Sequence, residues 1–132
     1  MMEPLNIWDE HIGLSHVLVT LPDRAQATVW MVEDFIEQDG EPYFEINSSG
    51  DDPLSKAKAA GKRLSHADFI KAAAETRQVI WGTFKAYDDR SGPNAWLSIS
   101  AVDSTFWEIV TDDLDARRSI CTGFGDVRKG KM

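Results

Sequence analysis

The sequence predicts an α+β fold, a mainly antiparallel sheet of five or six strands with three or four helices, mostly on one face. Three observations predict it. Strand-like segments in the second half follow one another across short turn clusters, which favours antiparallel neighbours. Several helical segments carry recognisable caps, and they alternate with the strands without the regular βαβ spacing of a parallel sheet. A chain of 132 residues with five tryptophans and six phenylalanines has apolar area for one core, so residues 1–132 are expected to form a single domain.

Residues 1–13 hold no clear period and are expected to be an irregular amino-terminal arm carrying Trp8. His16 to Leu21 reads as a strand stopped by Pro22. Asp23 with Gln26 forms a capping-box pattern, Gly40 suits the end of a helix, and Ala25, Val29, Val32 and Ile36 recur at helical spacing. A helix from about Arg24 to Gln38 is therefore expected, in preference to a hairpin turning at Asp39-Gly40. Pro42 to Ile46 is the next strand, and Asn47 to Asp52 a loop of turn formers.

Asp52-Pro53 followed by Gly61 supplies an N-cap, a proline in the first turn and a closing glycine, so a short basic helix is expected between them. Ser65 and Asp68 cap a further helix running to about Thr76. Gln78 to Tyr87 is strand-like, with Gly82 a candidate bulge, and Asp88 to Pro93 is a turn cluster. Asn94 to Val102 and Thr105 to Thr111 form a hairpin about Asp103-Ser104. A three-residue turn there puts Leu97, Ile99, Ala101, Trp107 and Ile109 on one face. Asp112, Asp113 and Asp115 crowd the first turn of a helix that ends near Cys121 to Gly123, where the macrodipole favours them. Phe124 to Arg128 is a candidate last strand.

The net charge of −8 is unevenly spread. Residues 1–53 hold twelve acids and one base, Arg24, while the remainder holds thirteen bases and ten acids. Phosphates are repelled by a surface dominated by carboxylates, so nucleic acid is an unfavourable partner and a basic protein a favourable one. The competing explanation of the charge is solubility. The start of the chain lacks a basic and apolar leader, and no stretch has the length of a membrane span. With Cys121 as the single cysteine, no internal disulfide can form, which suits a cytoplasmic setting.

The strand ending Leu21-Pro22, the segment Tyr43-Phe44-Glu45-Ile46, and the runs Leu64 to Phe69 and Ala101 to Ser104 resemble those of uncharacterised small bacterial α+β domains. In size, acidity and layout the chain resembles immunity proteins of bacterial polymorphic-toxin and contact-dependent inhibition systems. That resemblance implies a fold and a role as toxin inhibitor, and it carries no site residues.

Candidate chemistry is sparse. His11, His16 and His66 lack the spacing of a helical metal pair, so no metal is expected, and His66 is read as an exposed residue of the helix cap. Cys121 at a helix end is read as a buried, inert thiol. Asp103-Ser104-Thr105 suits a hairpin turn better than a hydrolase site. Gly123 to Arg128 follows a helix where a phosphate cradle would lead into one. No catalytic residue and no cofactor is expected.

Binding features are stronger. On the expected helix Trp30 lies off the apolar stripe among Gln26, Glu33, Asp34 and Glu37, the pattern of an aromatic hot spot ringed by charge. A second candidate is the sheet face of Trp81, Thr83, Trp96, Ser98, Ser100 and Glu108, with helix cover as its competing explanation. Lys56, Lys58, Lys62 and Arg63 form a basic patch that more often balances nearby acids than binds phosphate. The leading expectation is a cytoplasmic, non-enzymatic inhibitor of the immunity or antitoxin type that neutralises a basic toxin domain, such as a nuclease, through its acidic surface. The alternative is a small enzyme or ligand-binding domain with a pocket near the Asp103 turn.

Overall fold

The computed structural model describes residues 2–47 and 52–130. Strand β1 (Leu5–Ile7) is followed by helix α1 (Leu14–Leu18) and a 3₁₀ turn over Asp23–Ala27. Then come β2 (Val29–Glu33), β3 (Phe35–Ile36), β4 (Pro42–Tyr43) and β5 (Glu45–Asn47). Helix α2 (Pro53–Ala60), β6 (Leu64–Ser65) and α3 (His66–Glu75) lead to the long β7 (Gln78–Tyr87). The hairpin β8 (Leu97–Val102) and β9 (Phe106–Thr111), helix α4 (Leu114–Gly123) and β10 (Val127–Lys129) complete the order.

The protein is α+β with four helices, and its strand pairings are antiparallel. The main sheet has eight strands, not the five or six expected, in the order β10-β1-β9-β8-β7-β2-β6 with β5 also on β7. Of the strands not expected, β1 and β6 are pieces of three and two residues, below the length at which alternation can be recognised, while β2 lies where a helix was expected.

Two segments change type. His16 to Leu21 is not a strand: Leu14, Val17 and Leu18 are buried on one side of α1, while Val19 is 78% exposed. An unbroken apolar run cannot by itself separate strand from helix. The helix expected over Arg24 to Gln38 is replaced by the 3₁₀ turn, β2 and β3. The Asp23 cap makes no side-chain hydrogen bond, and the segment Val29 to Glu33 alternates buried and part-buried positions with Trp30 and Val32 inward. Crowded β-branched and aromatic residues favour a pleated surface over a helical one. Gly40, at φ +90°, turns the hairpin of β3 and β4 that the helical spacing had outweighed.

The capped helices form where expected. Asp52 accepts the Ser55 amide at 3.0 Å and Ser65 Oγ the Asp68 amide at 3.1 Å. Gly61 closes α2 at φ +60°, with Lys62 N–H reaching Ala57 C=O and Gly61 N–H reaching Lys58 C=O. The β8–β9 register pairs Ala101 with Trp107 and Ile99 with Ile109, leaving the three-residue turn Asp103 to Thr105.

The expected amino-terminal arm is not loose over its described residues 2–13. Leu5 and Ile7 are fully buried, with β1 inserted between β9 and β10, and Gly130 N–H donates to Pro4 C=O at 3.0 Å. One face of the sheet and all four helices share a single apolar cluster, with Trp30, Phe69, Phe84, Ile99, Ile109 and Ile120 at its centre. At its margin Arg24 bonds both Asp88 and Asp113 and lies 4.5 Å from the Trp96 ring, tying the 3₁₀ turn to the N-terminus of α4.

Candidate binding surface

The opposite face of the sheet is polar. Cross-strand pairing places Glu33, Thr83, Ser100, Glu108, Asn6 and Arg128 in one row across six strands. Thr83 and Ser100, 7% and 4% exposed, share a hydroxyl–hydroxyl bond of 2.8 Å. The neighbouring row holds Met31, Lys85, Ser98 and Val110. Helix cover had been the favoured explanation for this face, but the helices lie in the core cluster on the other one. Trp96 does not belong to the polar face: it is buried, its Nε1 donating to Thr28 Oγ1 at 3.1 Å.

What overhangs this face is the ribbon of β3 and β4. β2 pairs with Thr83 to Tyr87 and β5 with Gln78 to Trp81, both along the same edge of β7. They behave as one strand from which Asp34 to Phe44 is looped out. Gly82 marks the gap, where a β-carbon would stand 3.2 Å from the Phe44 ring. Its pairing with Ala101 is regular, and the irregularity of register falls opposite Glu45 and Ile46. Tyr43 stacks on Trp81 at 4.7 Å and Phe35 tilts against it at 5.6 Å, anchoring the ribbon's base. Under the ribbon lie two hollows of about 480 and 630 Å³, both bordered by Phe35, Ile36 and Glu108.

The ribbon is strongly acidic. From Glu33 to Asn47 there are six carboxylates and no base. Two are neutralised from the body of the protein: Asp34 by Lys58 at 3.0 Å, and Glu33 by Lys85 at 3.3 Å. Among the described residues no cation stands within ion-pair distance of Glu37, Asp39, Glu41 or Glu45. Amid these charges Ile36 is 59% and Tyr43 39% exposed.

The five residues singled out from the sequence therefore separate. Glu33, Asp34 and Glu37 gather at the ribbon and its hollow. Gln26 is exposed on the 3₁₀ turn, apart from them. Trp30 is fully buried, stacked on Phe69 at 4.5 Å with its Nε1 donating to His66 Nδ1 at 3.2 Å, so it presents no surface. His66 is accordingly half-buried and not an exposed cap residue, and burial pushes its pKa below the ordinary 6.5. Ile36 and Tyr43 were missed because a helical period placed Ile36 in the core. An exposed Ile36 beside Asp39-Gly40 is legible once the hairpin is taken instead.

The other candidates resolve individually. Lys58 is a counterweight to the ribbon acids. Cys121 is exposed, not buried, lying on the outward side of α4. In the loop after α4 the amides of Gly125 and Asp126 are taken up by the Asp9 carboxylate at 2.8 and 2.7 Å. The Asp103 turn has left-handed backbone at Asp103 and Ser104, and Ser104 borders a cavity of about 400 Å³. Among the described residues no three His, Cys, Asp or Glu are grouped as metal ligands, and no helix is long and apolar enough to cross a membrane. In comparisons with known proteins, no family model, no curated protein and no solved structure matches this chain.

Proposed function

We propose that this protein is a binding domain that docks a basic protein partner through the β3–β4 ribbon, acting as a stoichiometric inhibitor of the immunity or antitoxin type in the bacterial cytoplasm. The observation that carries this reading is the looped-out ribbon, which sets Ile36 and Tyr43 beside Glu37, Asp39, Glu41 and Glu45, carboxylates with no counter-ion among the described residues. Exposed apolar anchors bordered by like charges are what a selective interface needs: the anchors supply affinity, and the charges raise encounter rates with a basic surface and reject acidic competitors. Mechanistically the domain occludes its partner and performs no chemistry.

The test is co-expression with the basic products of adjacent reading frames, followed by affinity measurement on the purified complex. Ile36→Asp should weaken the complex at least about tenfold, the threshold of a hot spot. Glu37→Lys with Glu41→Lys should chiefly slow association. A complex that forms at unchanged rate and affinity in both variants, or only with an acidic partner, removes the ribbon as the docking surface.

A further inference from the structure

At the β8–β9 turn, the cavity beside Ser104 differs in chemistry from the rest of the molecule. It lies between the loop before α1 and the junction of α3 with β7, and measures about 400 Å³. Its floor is apolar, built from Ile12, Leu14, Val79, Ala101 and Trp107. Its polar side chains are those of Arg77, His11, His16, Ser15, Thr76, Gln78 and Ser104, and no aspartate or glutamate lines it. In a chain with 22 acids and 14 bases, that is a local reversal of charge.

The donors are free to serve a guest. Arg77 is exposed and has no ion pair among the described residues. His16 Nδ1 accepts the Gly13 amide at 2.9 Å, so the neutral ring carries its proton on Nε2, a donor left for a ligand. The walls are also held in an unusual backbone state. The described non-glycine residues with positive φ are His11 (61°), Asp103 (53°) and Ser104 (48°); the first and last line this cavity, and Asp103 adjoins Ser104. The Ser104 amide donates to Ile80 C=O at 2.9 Å, fixing that wall to β7. Left-handed backbone at bulky or polar residues concentrates where a site is held in shape.

We infer that this cavity is a binding site for a small amphipathic anion, a flat apolar body bearing one carboxylate or phosphate. The volume is at the lower end for ligand pockets and suits a single ring with its anionic group. The ring rests on Trp107 and Val79, and the anion meets Arg77 and the His16 Nε2 proton in charge-assisted and neutral hydrogen bonds. The site needs no protein partner, and of the residues around the ribbon's hollows it shares Phe106.

The test is an NMR titration of the isotope-labelled full chain with benzoate, phenyl phosphate and benzylamine at physiological salt. Benzoate or phenyl phosphate should shift the amides of Ser15, His16 and Ser104 and the Trp107 indole saturably, and the tighter of the two identifies the head group. Arg77→Gln should raise the dissociation constant about tenfold with the melting temperature unchanged. Equal binding of benzylamine, an Arg77→Gln variant that binds like the parent, or no saturable shift with either anion overturns the inference.

Discussion

Replacing Trp30 by alanine should cost about 4 kcal/mol of folding stability. The side chain is 0% exposed, and an indole buries roughly 200 Å² or about 5 kcal/mol of apolar transfer energy at 25 cal/mol per Å². Alanine retains a little of that, while the cavity left against Phe69 and the lost bond to His66 each add to the cost, which puts the change in the usual range of about 3–5 kcal/mol. Trp30→Phe keeps most of the packing and removes the N–H, so it should cost only about 1–2 kcal/mol. Urea unfolding followed by far-UV circular dichroism measures both. His66 supplies a second readout. Because burial holds its folded pKa below 6.5, the unfolded chain takes up the proton first as pH falls. Its contribution is whole above about pH 6.5 and declines as pH drops below that value. A Trp30→Ala variant that loses less than about 1 kcal/mol, or a His66 titrating at or above 6.5, would refute the buried Trp30–His66 pair.

Other perturbations test the frame. The Arg24 guanidinium beside Asp88 holds its carboxyl at about 2, against 3.8 for the free group, so about 2 kcal/mol of stability present above pH 4 is lost as pH falls toward 2. Asp88→Asn should flatten that part of an acid titration, and an unchanged slope would discount the ion pair. Leu5→Ala should cost about 2–4 kcal/mol, and removing residues 1–8 should abolish the native circular dichroism spectrum, since β9 and β10 lose the strand between them. A truncated chain that still melts cooperatively would contradict this. Gly61→Ala should cost about 1 kcal/mol, measured as a lower urea midpoint, because a side chain is strained at φ +60°.

Elements with local chemical punctuation were legible in the sequence. Asp52, Gly61 and Ser65 satisfy helix-end groups from within a few residues, so their effect needs no tertiary knowledge. The β8–β9 register followed from one burial pattern and one turn. The segment from Arg24 to Gln38 was not legible, because Ala25, Val29, Val32 and Ile36 fit a helical period while Trp30 and Val32 fit a strand, and only the edge of β7 decides between them; the strand expected over Pro42 to Ile46 is present as β4 and β5. β1 was hidden for a related reason: three residues cannot display a period, and their partners lie at the far end of the chain. For the binding surface, the charge was visible in composition. The exposure of Ile36 and Tyr43 was not, since it depends on the ribbon leaving the sheet.

The placement of β1 also governs when the molecule can be completed during synthesis. Leu5 leaves the ribosome well before Ile109 and Lys129, the two residues it pairs with. Until then its apolar side chains have no sheet to enter, and the growing chain carries an unpaired strand. Closure of so long a loop comes late and slowly. The nascent protein is therefore most exposed to misassociation before β9 emerges, and a truncation that removes both β9 and β10 would leave β1 without a neighbour.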